Sequence, residues 1–295
     1  IIMAFLMIAV MFIMVPRASV AGDRIAEVLE TKPSIRDPES PVSLTAPVRG
    51  EVAFHDVSFR YPNAEENVLE HLSFTAKPGE TTAFIGSTGA GKSTLVQLIL
   101  RFYDVTDGSI TLDGVDIREL TQKELRAQIG FVPQKGLLFS GDIASNIRYG
   151  NDLATDEEVR RAAQTAQALE FIDAFPKGME TGIAQGGTNV SGGQKQRLSI
   201  ARALAKKAPV YIFDDSFSAL DFKTDAALRR ALAKDTAGAA VLIVAQRVST
   251  IMHAQQIVVL DQGKIMGVGT HKELLKTCPT YREIAESQLS EEELQ

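Results

Sequence analysis

The sequence predicts an α/β fold: a parallel sheet around a phosphate-binding loop, an antiparallel β edge region, an inserted helical region and an apolar N-terminal helix. Three observations predict it. Gly86-Ser87-Thr88-Gly89-Ala90-Gly91-Lys92-Ser93-Thr94 fits the pattern G-x-x-x-x-G-K-[ST] between a short apolar run, Thr82 to Ile85, and a longer one, Leu95 to Leu100. That strand, loop, helix order is the context the pattern needs. Downstream, short apolar runs alternate with helical periodicities, as in a parallel sheet with crossover helices. Between about Asp142 and Val190 that alternation stops, and Val159, Ala162, Ala163, Ala166 and Leu169 form a stripe at helical spacing.

With 295 residues, 45% of them hydrophobic, the chain can fill one large domain or two smaller ones. A net charge of -6 argues against a nucleic-acid partner. The single cysteine, Cys278, forms no internal disulfide and belongs to no metal-ligand cluster, which fits a reducing compartment and a tolerated thiol near a helix end.

Taken in order, Ile1 to Val15 contains no polar residue. Fifteen helical residues span about 22 Å against a hydrocarbon core of roughly 30 Å, so the stretch reads as the end of a membrane helix. The chain opens on Ile-Ile rather than Met, and the upstream part of that membrane region is expected to lie outside it. A signal peptide competes through the small residues Ala18-Ser19-Val20-Ala21, but the basic n-region is absent. Arg17, Arg24, Lys32 and Arg36 follow the apolar run and place the rest of the chain in the cytoplasm. Val20, Ile25, Val28 and Leu29 carry the helix on into water until Pro33. Pro33, Pro38, Pro41 and Pro47 mark an extended linker, and the soluble domain is expected from about Arg49.

Val52, Phe54, Val57 and Phe59 read as one or two edge strands closed by Tyr61-Pro62, and Leu69 to Ala76 as another strand. After the loop come a strand at Ser109 to Leu112 between Asp-Gly turns and a buried strand at Ile129 to Val132. Ser191 to Ala205 reads as helix, Val210 to Phe213 as strand, Lys223 to Ala233 as helix and Val241 to Val244 as strand. Ile257 to Leu260 and Ile265 to Val268 flank Asp261-Gln262-Gly263-Lys264 as a hairpin, and the tail from Lys272 is helical and acidic.

The loop residues suit a nucleotide. Gly86, Gly89 and Gly91 let successive N–H groups point at phosphate oxygens, Lys92 adds charge near the β- and γ-phosphates, and the Ser93 hydroxyl can ligate Mg²⁺. The helix starting near Lys92 adds the positive end of its dipole. An ordinary glycine-rich turn would match the pattern by chance about once in a hundred such chains.

Ser191-Gly192-Gly193-Gln194 followed by Lys195-Gln196-Arg197, and Val210-Tyr211-Ile212-Phe213-Asp214 ending an apolar strand, resemble the signature and Walker B segments of ATP-binding cassette (ABC) transporter ATPases. The resemblance covers nearly the whole chain. It sets Tyr61 where the family stacks an aromatic on adenine, Gln134 at the Q-loop and Ser218-Ala219-Leu220-Asp221 as the D-loop. It implies a P-loop NTPase core binding ATP and Mg²⁺. Gly86 to Thr94 and Tyr61 would hold the nucleotide, and Ser93, Asp214 and Gln134 the metal. Ser191, Gly192, Gly193, Gln194 and Asp221 would face the nucleotide of a second subunit, because the family sandwiches two ATP molecules between two chains. A membrane stub joined directly to the nucleotide domain resembles the exporter branch. The implied layout is a last transmembrane helix and its cytoplasmic extension at 1–30, a linker at 31–48, the nucleotide domain at 49–289 with a helical subdomain at about 142–205, and an acidic tail at 290–295.

Two positions depart from the family pattern. Asp215 stands where Glu usually polarises the attacking water, and Gln246 stands at the switch histidine. The shorter carboxylate is withdrawn by roughly 1.5 Å, and a misplacement near 1 Å can cost about a hundredfold in rate. Gln246 can donate to a γ-phosphate but has no protonation equilibrium near neutrality. With Gln134 and Lys92 these make the expected catalytic set, weakened in hydrolysis and intact in binding. The pattern resembles the degenerate half of a heterodimeric multidrug or lipid-type exporter, whose partner carries Glu and His. A slow homodimer, a non-hydrolysing regulatory cassette and a soluble ABC protein acting on ribosomes or DNA repair are the competitors; the last conflicts with the apolar N-terminus. Smaller departures are Val190 before the signature, usually Leu, and Thr181 to Gly187, which lacks the acidic side chains many exporters have there. The implied setting is the plasma membrane with the nucleotide domain inside the cell, moving a small molecule, lipid or peptide.

Overall fold

A computed structural model describes residues 1–290, so the expected acidic tail, apart from Ser290, lies outside the described residues. The chain divides into two compact units, Ile1–Arg36 and the remainder from Asp37. The first holds α1 (Ile2–Glu30), a helix of 29 residues, long enough at about 1.5 Å per residue to exceed a bilayer core. Its most apolar window has a mean hydropathy of 2.1 and none of it is buried. Pro16 lies inside it without ending it. Thr31 turns extended and the helix ends at Glu30, three residues before Pro33, as expected of residues ahead of a proline.

The second unit runs β1 (Val52–Phe59), β2 (Leu69–Ala76), β3 (Thr81–Gly86), α2 (Lys92–Ile99), β4 (Asp107–Leu112), β5 (Val115–Asp116), α3 (Gln122–Ala127) and β6 (Ile129–Val132). A helical stretch follows, entered through β7 (Gly141–Asp142) and holding α4 (Ile143–Arg148), α5 (Asp156–Thr165), α6 (Leu169–Asp173), β8 (Gly182–Ile183) and α7 (Gly192–Ala205). The chain then resumes alternation with β9 (Val210–Asp214), α8 (Phe222–Asp235), β10 (Ala240–Val244), α9 (Val248–Ile251), β11 (Gln256–Asp261) and β12 (Lys264–Gly269), and closes on α10 (His271–Thr277) and α11 (Pro279–Glu286).

The main sheet has the order β12-β11-β3-β10-β9-β6, parallel except for the hairpin strand β12. A parallel sheet covered on both faces reads as continuous apolar sequence, and every residue of β9 and β10 is buried. Successive side chains still part to opposite faces: Ala83 and Ile85 join the core with Phe213, Ile243 and Val259, while Phe84 joins Ile212, Leu242 and Val258. The first core is closed by the helices of the inserted stretch and by α8, α10 and α11. The second is closed by an antiparallel sheet of order β2-β1-β4-β5.

One reading changes here. Val52 to Phe59 is a single strand paired on both sides, by β2 and by β4, and so is not an edge. Its central residues His55 and Asp56 are exposed and Asp56 has φ +49, so an irregularity breaks the alternation that would have marked a central strand. Residues 37–48 hold no helix or strand, yet they are tied down: the Val42 N–H donates to the Glu119 carbonyl at 2.9 Å and the Leu44 N–H to the Glu124 carboxylate at 2.9 Å.

Candidate functional site

Parallel registry brings strand ends together. Val244 pairs with Phe84 on one side and with Asp214 on the other, and Val132 pairs with Phe213, so the carboxyl ends of β3, β10, β9 and β6 stand side by side. Crevices outside those ends are where open α/β sheets bind ligands. A cavity of about 280 Å³ opens there, lined by Thr88 to Thr94, Gln134, Asp214, Asp215 and Gln246, with Val68 and Val244. A larger hollow of about 420 Å³ between α8 and the sheet carries none of the motif residues.

The loop between β3 and α2 is shaped by its glycines. A Cβ on Gly86 would sit 1.9 Å from the Leu260 carbonyl oxygen, and Gly91, at φ +93, would press one to 2.4 Å from the Leu69 side chain. Only glycine fits either place. α2 has no side-chain cap, so its first N–H groups face the cavity side of the loop without one. Lys92 Nζ spans the loop, donating to the carbonyls of Gly86 at 2.8 Å and Ser87 at 2.7 Å. Burial lowers its pKa, while Asp215 and then Asp214 pull it back up. The Ser87 hydroxyl donates to Asp261 at 2.8 Å, and neither Ser87 nor Gly86 lines the cavity.

Ser93 Oγ donates to Asp214 Oδ1 at 3.2 Å. Burial raises the Asp214 pKa; the Ser93 hydroxyl bond opposes this, the neighbouring Asp215 charge adds to it and Lys92 opposes it. A buried carboxylate beside a hydroxyl is a hard-oxygen pair short of positive charge, which fits Mg²⁺ held by few protein ligands and completed by water and phosphate. Among the described residues no group of three or more His, Cys, Asp or Glu side chains is gathered into a cage of protein ligands.

Asp215 is placed by its backbone. At φ +46 it is left-handed, a conformation that costs a non-glycine residue about 1–3 kcal/mol and persists only where the surroundings impose it. Its N–H donates to the Val244 carbonyl at 2.9 Å and its carbonyl accepts from Ser218 Oγ at 2.9 Å. The side chain meets two amides at one oxygen: Gln246 Nε2 donates to Asp215 Oδ2 at 2.8 Å and Gln134 Nε2 donates to the same atom at 3.2 Å. The Gln134 segment is itself bracketed from α7, where Gln196 accepts from the Gly136 N–H at 3.1 Å and donates to the Pro133 carbonyl at 3.2 Å.

The expected site residues therefore separate into groups. Lys92, Ser93, Asp214, Asp215, Gln134 and Gln246 converge on one cavity. Tyr61 does not line it: its hydroxyl contacts Thr94 Oγ1 at 2.9 Å and donates to Gln97 at 3.3 Å, with its ring edge-on to Phe59 and Tyr103. Ser191, Gly192, Gly193 and Gln194 also stay outside, at the start of α7, where Ser191 and Gln194 form a reciprocal capping box. Asp221 caps α8 by accepting from the Thr224 N–H at 2.9 Å. Sequence reasoning did not find Val68 and Val244 as walls, which no motif marks, and it placed Gln196 and Ser218 within the signature and D-loop stretches without their part in supporting Gln134 and Asp215.

Fold and cavity together define a nucleoside-triphosphate-binding α/β domain of the phosphate-loop kind. The ABC transporter family is matched over residues 69–218, and the chain belongs to that family. It is 47% identical over 291 residues to an uncharacterized ABC transporter ATP-binding protein of Mycobacterium tuberculosis, covering 98% of this chain and 50% of the relative. It is 44% identical over 262 residues to an ATP-dependent lipid A-core flippase of Desulfotalea psychrophila, covering 89% of this chain and 45% of the relative. A solved bacterial Atm1-family ABC exporter with ATP bound superposes with a TM-score of 0.88 at 36% identity, over 94% of this chain and 48% of the other. The chain thus spans about half the length of these relatives.

Proposed function

We propose that the chain is the ATP-binding part of an ABC exporter and that its own site holds ATP more readily than it hydrolyses it. The observation that carries this is the pair of amides on Asp215 Oδ2. A carboxylate that must orient and deprotonate water needs a free oxygen at the right reach. Asp215 is one methylene shorter than Glu, and its Oδ2 is already taken up by two amide donors, so the carboxylate is both withdrawn and held away from a water at that atom. The binding groups keep the residue types their task needs: the loop N–H groups and Lys92 would receive the phosphates, and Ser93 with Asp214 would hold Mg²⁺, which supplies charge neutralisation when bound.

The signature residues lie outside this chain's cavity, which favours their serving a nucleotide on a second half-transporter. Selective loss at Asp215 and Gln246 favours a heterodimer over a homodimer. The apolar α1 supports a membrane setting with the nucleotide domain on the cytoplasmic side, and relatives named as a lipid flippase and as a probable multidrug resistance protein of Bacillus subtilis favour an amphipathic exported molecule. The competing reading is a regulatory cassette that turns nothing over.

Single-turnover hydrolysis of Mg-ATP by the full chain tests the site. The unmodified chain should be slow, and Asp215→Glu with Gln246→His should raise the rate about a hundredfold. Fast hydrolysis by the unmodified chain would refute the weakened site, and no gain in the double variant would favour the regulatory cassette.

A further inference from the structure

The segment that carries Gln246 is held from the C-terminal end of the chain. Gln288 Oε1 accepts from the Val248 N–H at 2.8 Å, and its Nε2 donates to the Gln246 carbonyl at 2.9 Å. One amide therefore brackets Arg247 on both sides. Val248 opens α9, whose N-cap residue Arg247 offers no side-chain cap, so Gln288 supplies the acceptor that a capping side chain would normally give. Arg247 itself reaches over the exposed Phe222 ring, 5.5 Å to its centroid, one residue past Asp221.

The segment needs such a hold because it is thin. Gln246 lines the nucleotide cavity on one side and, on the other, a hollow of about 570 Å³ bordered by Ser218, Phe222, Arg247, Ser249 and Gln288. The holder is firm. Tyr281 and Ala285 of α11 are fully buried in the core that also contains Val248 and Ile251, and the Tyr281 hydroxyl meets His271 Nδ1 at 2.7 Å. Gln288 stands in the turn just past the end of α11, where its N–H donates to the carbonyl of the buried Ala285 at 3.0 Å, so that anchorage delivers it to the switch segment. Gln288 is nonetheless exposed, where a side chain of its kind has no packing role to explain its two backbone bonds.

We propose that Gln288 is a positioning residue for the nucleotide site: its amide fixes the backbone of residues 246–248, so that α11 sets where the Gln246 side chain stands. The inference rests on the reading that the cavity takes ATP, and it adds a connection between the C-terminal helix and the groups facing the γ-phosphate.

The test is equilibrium binding of Mg-ATP and Mg-ADP to the full chain in detergent, for Gln288→Ala, Gln246→Ala and the double variant. With Gln246 facing the γ-phosphate, as its place at the switch histidine implies, Gln288→Ala should weaken ATP about three- to tenfold, part of what losing a hydrogen bond to a charged group costs, and leave ADP within about twofold. In the Gln246→Ala background the same change should no longer alter ATP affinity. Gln288→Glu keeps the acceptor for Val248 and loses the donor to Gln246, so it should fall between the unmodified chain and Gln288→Ala; it also answers the question if the alanine variant does not fold. Equal weakening of ATP and ADP, an unchanged ATP affinity, or an effect that survives removal of the Gln246 side chain would each overturn the proposal. A chain that binds neither nucleotide would overturn the ATP reading and this inference with it, a result distinct from nucleotide binding that ignores Gln288.

Discussion

A carboxylate taken out of water costs stability until a cation meets it, and Asp214 is such a group. Burial raises its pKa above the ordinary 3.8. Between that value and its folded pKa the native state binds more protons than the unfolded chain, so stability falls as pH rises through the window and the full penalty is present above it. Asp214→Asn removes the charge. It should raise the urea midpoint of the nucleotide-free chain at pH 7 by the equivalent of about 1 kcal/mol, and the gain should shrink as pH falls through the raised pKa. A variant no more stable than its parent at neutral pH would show that the carboxylate carries no such cost. Lys92 is the opposite charge in the same cavity, and Lys92→Ala should weaken Mg-ATP binding about 10- to 100-fold by calorimetric titration, since it removes a charge-assisted contact. That Lys92, Ser93 and Asp214 would meet at one cavity was legible in sequence, because phosphate and Mg²⁺ chemistry demands particular residue types at a short, fixed spacing. The two amides on Asp215 and the clasp of Gln288 were not: Gln134, Asp215, Gln246 and Gln288 are distant in the chain and meet only through the sheet and α11.

Elements were legible where their periodicity is sustained. Ile129 to Val132 and Leu69 to Ala76 form strands with the expected bounds, and the other main-sheet strands differ by a residue or so at their ends. The short β7 and β8 carry too few residues for any period to register, and β1 hid its central position behind an irregularity at His55 and Asp56. Helix starts were more readable than they first look: Thr155 with Glu158 and Thr270 with Glu273 are reciprocal caps, as is Ser191 with Gln194. The last of these matters twice. Ser191 Oγ accepts from the Gln194 N–H at 3.3 Å while Gln194 Oε1 accepts from the Ser191 N–H at 2.9 Å, so the residues expected to face a second nucleotide also hold the start of α7. Ser191→Ala should lower unfolding stability by about 1 kcal/mol, measured by urea denaturation. A loss near zero would mean that solvent replaces the cap and that the serine is kept for its hydroxyl alone.

At the scale of the whole molecule, the distribution of parts decides how many chains a complete site needs. Lys92, Ser93, Asp214, Asp215 and Gln246 share one cavity, and the signature residues do not line it. If those residues act on a nucleotide bound elsewhere, damage to them should spare this chain's own ATP affinity and reduce turnover only in the assembled transporter. Gly192 separates the two effects cleanly. A Cβ there meets nothing within 4 Å, and an acidic side chain in the first turn of α7 is compatible with the helix dipole, so Gly192→Asp should fold normally. Its carboxylate would repel a phosphate brought up to the signature. In the single chain, Mg-ATP affinity should stay within about twofold of the unmodified value; in a complex with the proposed second half-transporter, steady-state ATPase should fall by about tenfold or more, as expected when a phosphate-facing electrostatic contact is reversed. Loss of ATP affinity in the isolated chain would instead place the signature at this chain's own nucleotide and remove the argument for a two-chain site.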